Sequence, residues 1–472
     1  MSIRADVLHS YKVIHEEWID RILKEEIVKN RKKLVVLDDD PTGVQTVHDV
    51  SVYTSWEKES IRQGFKEENR LFYILTNSRG LTAQQTEAVH REIGKNVAEV
   101  AKEYRTDYIF ISRSDSTLRG HFPLETEVLR ECCETYSGVK LDGEILCPFF
   151  KEGGRFTLED VHYVKYGETL IPVNETEFAE DKTFGYHAAS MPDYVEEKTA
   201  GKYKKDTVTC ISLHDIHDMN IQKIEAQLME VEDFHKVVVN AVDYADLKVF
   251  CVALYRAMER GKKFLLRAAA SIVKVMGGVE DQPLLKRQEM LVEDIPNGGM
   301  IVVGSHTNKT TKQMEQLKKL KWVESIELDV GLVKDEDAFQ AEIDRCLAEE
   351  ENYLRVGKTV CCYTSRRLIT ADTGKKEDEL ILSVRISHAV QSLVGNLNVK
   401  PAFVIAKGGI TSSDIGTKAL AVKKAHVLGQ ILPGIPVWKL GDESRFPNIP
   451  YVIFPGNVGD INDLKKVVEI LS

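Results

Sequence analysis

Residues 33–43 read KLVVLDDDPTG. Four apolar residues, Leu34 to Leu37, run without interruption into three carboxylates, a proline and a glycine. A short apolar run with no polar alternation, ended by turn residues, predicts a strand buried on both faces, as in a parallel sheet. Asp38, Asp39 and Asp40 then stand where the chain leaves the core. The same pattern recurs along the chain. Predicted strands at Lys33–Leu37, Leu71–Thr76, Asp107–Ser112, Lys236–Asn240, Met300–Gly304 and Phe403–Ala406 end in the loops DDDPTG, NSRGLT, RSDSTLRG, AVDYAD, SHTNKT and KGGITS. Stretches of helical periodicity separate them, which is the signature of βαβ units. The predicted fold class is α/β, with two domains, each built on a mainly parallel sheet flanked by helices. Ligands of open α/β sheets bind outside the carboxyl ends of the strands, so these loops are the expected site, and an interdomain cleft is where it is expected to lie.

The chain has 472 residues, more than the ~250–300 at which one core stops growing, so two domains are expected. The junction falls in the Gly/Pro/acid-rich passage between Ser271 and Gly299, which divides the chain into 1–272, a linker at 273–297, and 298–472. Residues 147–205 read as a β-rich excursion beside the N-terminal site. With 43% apolar and 29% charged residues and 13 prolines, the composition is that of a globular protein. A net charge of −11 argues against nucleic acid as a partner, while leaving local basic sites for small anions. Neither a signal peptide nor an apolar run of ~18 residues is present, so no membrane partner and a cytoplasmic location are expected. Eight cysteines without a Cys-x-x-Cys pair give no disulfide framework or zinc site, and no protein-ligated metal is expected.

Three N-terminal loops concentrate donors and acceptors. Ser112–Pro123, SRSDSTLRGHFP, packs Arg113, Ser114, Asp115, Ser116, Thr117 and Arg119 into seven positions. Arginine grips a carboxylate bidentately, and Ser, Thr and Asp read hydroxyls, so the loop suits a polyhydroxylated acid. A helix-capping network by Ser116 or Thr117, with Asp115 paired to Arg119, is the competing explanation. Asn77, Ser78 and Arg79 at a third strand end favour a site. Asp38-x-Asp40-x-Thr42 also fits the opening of haloacid-dehalogenase phosphatases, with Asp38 as nucleophile, although the match is short. In the C-terminal half, Gly304-Ser305, Lys407-Gly408-Gly409-Ile410-Thr411 and the turn FPGNVGD are glycine-rich strand-to-helix passages, whose free N–H groups suit phosphate. The Walker order is absent. His306 beside Ser305 lacks the setting of a serine nucleophile, and His121 and His162 read as packed or capping residues.

Taken together, LDDDPTG, TNSRGLT, SRSDSTLRG, GGRFTLEDVHYV, VVGSHTNKTTKQ, AKGGITSSDI, LGQILPGIPVWKL and FPGNVGD resemble the motifs of the four-carbon acid sugar kinase family, in the family's order, over most of the chain from Leu34 to Leu471. Two departures concern the substrate: the family often shows DDLTG at the first loop, and this chain carries a helical extension before Lys33. The resemblance implies an N-terminal substrate domain, a C-terminal nucleotide-binding domain, and phosphorylation of a terminal hydroxyl of a four-carbon sugar acid by ATP with Mg2+. It implies catalytic roles for Asp39, Asp115 and Arg119. Substrate contacts fall to Asp38, Asp40, Thr42, Asn77, Ser78, Arg79, Arg113, Ser116 and Thr117. Ser305, Lys407, Gly408, Gly409, Ile410, Thr411, Gly456 and Asn457 would surround ATP. A nucleotide-gated sensor without turnover is the third reading, and a homo-oligomer remains open.

Overall fold

The computed structural model describes residues 2–305, 307–366, 376–456 and 458–472, the side chains of 376–380 excepted. The chain divides into two compact units: Met1–Val47 with Ser55–Asp281, and His48–Thr54 with Gln282–Ser472.

The first unit carries seven parallel strands in the spatial order Thr209–Ile211, His235–Val239, Gly143–Cys147, Phe264–Ala268, Tyr108–Arg113, Lys33–Asp38 and Leu71–Leu75. Burial explains the sequence pattern: all six residues of Lys33–Asp38 and all five of Leu71–Leu75 are inaccessible, so neither strand alternates. Helices cover the sheet. Ala83–Tyr104 starts at a capping box in which Thr82 and Gln85 satisfy each other's backbone N–H groups, and it buries Ile93, Val97, Val100 and Ala101. Tyr244–Glu259 starts at a second capping box, Asp243 with Asp246. The extension before Lys33 holds the helix Glu16–Lys29, which buries Ile19 and Leu23 and is tied to the Tyr244 helix by Lys248 to Asp20 at 2.7 Å and Arg256 to Glu26 at 3.0 Å. A separate four-stranded antiparallel sheet joins Ile3–Arg4, Thr169–Pro172, Val161–Tyr166 and Arg155–Leu158.

The strand order matters for the site. From Lys33–Asp38 the chain adds Leu71–Leu75 on one side and Tyr108–Arg113 on the other. The connections leaving the Lys33 and Tyr108 strands therefore run to opposite sides, which makes their carboxyl ends the switch point of the sheet.

In the second unit the sheet runs Val50–Tyr53, Lys424–Leu432, Ile435–Leu440, Pro450–Phe454, Val404–Lys407, Met300–Val303, Thr359–Thr364 and Val323–Leu328. The first three pairings are antiparallel and the other four parallel. Its core gathers Ile301, Val303, Ile405, Val437, Val452 and Leu464.

The compact units follow the expected domain bounds except in two places. The first unit is not continuous, because Val50–Tyr53 pairs antiparallel with Lys424–Val427 and belongs to the second unit. The passage 273–297 is not a bare linker either: Leu285 and Met290 are buried in the second unit's core, and the chain changes unit between Asp281 and Gln282.

Val52 is 1% exposed in that strand. Val52→Asp places an unpaired carboxylate there and is expected to cost about 3 kcal/mol or more. Hydrogen exchange should show protection lost in Lys424–Leu432, far away in sequence; undisturbed protection there would reject the pairing.

Candidate functional site

At the crevice of the first unit, four carboxylates (Asp38, Asp39, Asp40, Asp115) meet three guanidinium groups (Arg79, Arg113, Arg119). Asp39 is the hub. It accepts from Arg79 through Nε at 3.2 Å and Nη2 at 2.9 Å, from Arg113 Nη1 at 3.3 Å, and from the backbone N–H of Asp115 at 3.2 Å. The loops after three neighbouring strands are thereby tied to one carboxylate. Arg113 Nη1 also donates to Asp38 at 3.1 Å. Arg79 faces Asp40 at 3.3 Å and Asp115 at 3.6 Å.

Local backbone geometry aims these groups. Asn77 has φ 53°, in the left-handed region that asparagine tolerates, and opens the turn Ser78–Gly80 that presents Arg79. The Asp40 side chain accepts from Thr42 N–H at 2.9 Å and caps the turn Pro41–Val44. Asp115 Oδ2 accepts from Arg119 Nε at 2.8 Å, and from the N–H and hydroxyl of Thr117. A Cβ at Gly43 would fall inside the Asp38 carboxylate, so the glycine is what lets the chain pass that buried acid.

The excursion of residues 147–205 braces the Asp115 loop from behind. His162 meets the Ser116 carbonyl at 2.8 Å, while Tyr186 and Tyr194 donate to the carbonyls of Thr117 at 2.8 Å and Leu118 at 2.9 Å. Burial pushes the His162 imidazole down to about 4, so it is neutral at physiological pH and acts as a packed residue, as expected. His121 contacts the Leu81 carbonyl at 2.9 Å. Deeper still, Glu125 accepts from Ser78 at 2.6 Å and from Arg267 at 3.0 Å, and Arg267 also donates to the Arg119 carbonyl at 3.1 Å.

These contacts sort the residues the sequence singled out. Asp38, Ser78, Arg113 and Thr117 are essentially buried, with side chains engaged inside the protein. Thr42 and Ser116 are almost as enclosed. Asp38 is 1% exposed and accepts from Arg113. Arg79, Arg119, Asp40 and Asp115 keep side-chain exposures of 21, 24, 18 and 11%, and they form the reachable surface. Sequence reading missed Phe178, which Arg119 and Arg155 both cover at 5.1 and 5.5 Å from the ring centroid, and Asp181, 3.9 Å from Arg119. Arg155 lies in the quoted motif GGRFTLEDVHYV, which was the available signal. Arg267 sits in an apolar run and Glu125 in an ordinary amphipathic helix, and neither gave a signal.

Electrostatics follow burial. Burial drives the Asp38 carboxyl up to about 7, against the pull of Arg113, with Asp39 and Asp40 adding to the rise. Asp39 is also raised by burial, which outweighs its two arginines. For Asp115 burial is outweighed by Arg79 and Arg119, which hold the carboxyl well below the usual range. Asp40 is likewise lowered, Arg79 and Thr42 overcoming burial.

In the second unit the strands Met300–Val303, Val404–Lys407 and Pro450–Phe454 are consecutive neighbours, so the three glycine-rich loops come together. A Cβ at Gly304 would collide with the Thr411 hydroxyl, and one at Gly408, where φ is 118°, would lie 3.3 Å from the Ser305 Cβ. Ser305 Oγ accepts from Thr310 at 3.1 Å, beside the start of the helix Asn308–Leu317, and Arg366 donates to its carbonyl. Gly409 begins the helix Gly409–Asp414, Ile410 is 78% exposed, and Gly456 lies beside Ser305. Lys407 differs from expectation. Its side chain is wholly buried and its ammonium donates to the carbonyls of Pro455 at 2.6 Å and Gly456 at 3.3 Å, so it fixes the last loop from beneath. Burial pushes this ammonium down to about 7. Asn457 and His306 lie outside the described residues. Among the described residues no group of three His, Cys, Asp or Glu side chains is arranged to hold a metal, and no helix is long and apolar enough to cross a membrane.

Residues 34–276 match the family model of a sugar-binding N-terminal domain, and residues 300–464 that of a nucleotide-binding C-terminal domain. The chain is thus a two-domain protein that pairs a sugar-binding with a nucleotide-binding unit. It belongs to the four-carbon acid sugar kinase family. Solved structures share its fold. A Haemophilus influenzae protein from a domain family of unknown function is 17% identical, with a TM-score of 0.60, over 93% of this chain and all of that one. A Salmonella typhimurium LT2 protein provisionally named a tRNA synthase is 14% identical, with a TM-score of 0.65, over 91% of this chain and 97% of that one. A comparison with curated proteins gives no significant match.

Because Asp38 binds its proton more tightly in the folded state, its contribution is full below the unfolded value near 4 and is lost as pH rises through about 7. Thermal unfolding from pH 4 to 8 should therefore show the wild type losing stability relative to Asp38→Asn. A Tm difference independent of pH would reject the shift.

Proposed function

We propose that the protein is an ATP-dependent kinase that phosphorylates a terminal hydroxyl of a four-carbon sugar acid of the threonate, erythronate or oxo-tetronate type. The observation that carries this reading is the adjacency of an ionised carboxylate, Asp115, to two reachable guanidinium groups, Arg79 and Arg119, at the switch point of a sugar-binding domain. The arginines suit the acid end, and Asp115 suits the acceptor hydroxyl. Asp115 Oδ2 is saturated by Arg119 and Thr117, whereas Oδ1 faces only Arg79, at 3.6 Å, so Oδ1 is the oxygen assigned to the substrate.

In this mechanism the hydroxyl donates its hydrogen bond to Asp115. Its oxygen attacks the γ-phosphorus, the bond to the bridging oxygen breaks, and ADP leaves with that electron pair. The proton passes to Asp115 as the new P–O bond forms; a carboxylate held at low pKa orients the hydroxyl early and takes the proton late. Asp39 is a positioning residue, since its oxygens are committed to Arg79, Arg113 and the Asp115 N–H. Ser305, Gly408, Gly409 and Thr411 would cradle the phosphates with backbone N–H groups and hydroxyls, which suits the close approach that Gly304 and Gly408 permit. Exposed Ile410 offers an apolar contact beside them. The carboxylates of the first unit are engaged by arginines and do not fit a dedicated magnesium cage, so no step is routed through such a site.

A coupled assay of ADP release with ATP and Mg2+, run over three- to five-carbon sugar acids, tests the reading. Turnover on a four-carbon acid is expected, with Asp115→Asn lowering kcat by ~10^2–10^4-fold while ATP binding is retained. Arg119→Ala should raise KM for the acid at least tenfold and leave KM for ATP unchanged. ATP binding without turnover on any acid would leave a sensor; nucleotide-independent phosphate release would revive the phosphatase.

A further inference from the structure

The first unit contains a ligand-sized cavity at the end of its sheet opposite the site described above. A cavity of about 480 Å³ lies where the strands Lys33–Asp38, Tyr108–Arg113 and Phe264–Ala268 begin. The site described above lies where the first two end, five residue steps or roughly 17 Å away. The inner wall is apolar, built from Phe110, Leu141, Met258 and Phe264. Tyr108, Tyr136 and Ser137 add hydroxyls, the first and last hydrogen-bonded to each other at 2.8 Å. An adjoining cavity of about 660 Å³ shares Lys32, Arg105, Thr106, Asp107 and Met258.

The charges are what set this cavity apart. Lys32, Lys102, Arg105 and Lys263 all line it, and among the described residues none has a carboxylate within ion-pair distance. Elsewhere on this acidic chain basic side chains are commonly matched, as Lys24, Arg62 and Lys140 are. Asp107 is the sole carboxylate of the wall. Burial pushes the Lys32 ammonium down, Asp107 opposing and Lys263 adding to the fall, so four cations share one carboxylate around a half-enclosed, partly apolar space. Such a space favours a ligand that brings its own negative charge and an apolar body, and its volume suits a small molecule.

We propose that this cavity binds a small organic anion, a carboxylate, sulfonate or phosphate carried on an apolar ring-sized body. Its head meets Lys32, Arg105 and Lys263, and its body packs on Phe110, Leu141 and Phe264.

The probe is 8-anilinonaphthalene-1-sulfonate, titrated by fluorescence into the full-length protein, with uncharged N-phenyl-1-naphthylamine as its neutral counterpart. One sulfonate per chain is expected. Lys32→Gln with Arg105→Gln should weaken it at least tenfold and leave the neutral probe within about twofold. Ser137→Trp, which plugs the mouth from an exposed position without changing charge, should weaken both probes and serves if the double variant does not fold. Saturating ATP or sugar acid should displace neither. Absence of sulfonate binding to the wild type, equal affinity in wild type and variants, or displacement by ATP or sugar acid would each overturn the proposal.

Discussion

The buried junction of Asp38, Asp39 and Arg113 is the constraint on which the N-terminal site depends. Charges withdrawn from water at a sheet end survive only if they are paired and hydrogen-bonded, and removing one partner from such a set costs about 3–5 kcal/mol. Asp39 meets that demand by joining Arg79, Arg113 and the Asp115 backbone. The same bonds that satisfy the buried acid therefore set the separation of Arg79 and Asp115. Stability and site geometry are one set of contacts here, which explains three consecutive aspartates: Asp38 and Asp39 anchor, and Asp40 reaches the surface.

Much of this architecture is legible along the chain, and the reason is burial. A parallel strand covered on both faces leaves a continuous apolar run, and all six expected strands form within one residue of their expected ends. The loops after them were equally plain, because acids and arginines next to an apolar run contrast with it. What sequence hid is which polar residues turn inward. Arg113 and Arg119 stand in one loop and look alike, yet the first is locked beneath Asp38 and the second faces Phe178. Direction at a strand end is decided by tertiary partners, and those lie up to 150 residues away, as Arg267 does from Arg119. Lys407 teaches the same lesson: beside two glycines it reads as a phosphate lysine, while two carbonyls of a neighbouring loop claim it.

The second unit solves a different problem by different means. Its site carries little charge of its own and depends on missing side chains. At Gly304 and Gly408 the loops touch so closely that a methyl group would meet Thr411 or Ser305. Close approach of backbone to backbone brings N–H groups together, which is the property a phosphate requires. One unit thus works through paired charges, the other through space left open, and the two family domains keep these tasks apart.

The strand Val50–Tyr53 bears on inheritance. A contiguous segment from Gln282 onward encodes seven of the eight strands of its sheet, and the eighth, Val50–Tyr53, is written inside the first domain, after the three aspartates. Recombination at the apparent boundary would transmit a sheet whose Lys424–Leu432 strand has an unpaired edge, a template for unwanted association. The two domains are therefore not interchangeable cassettes.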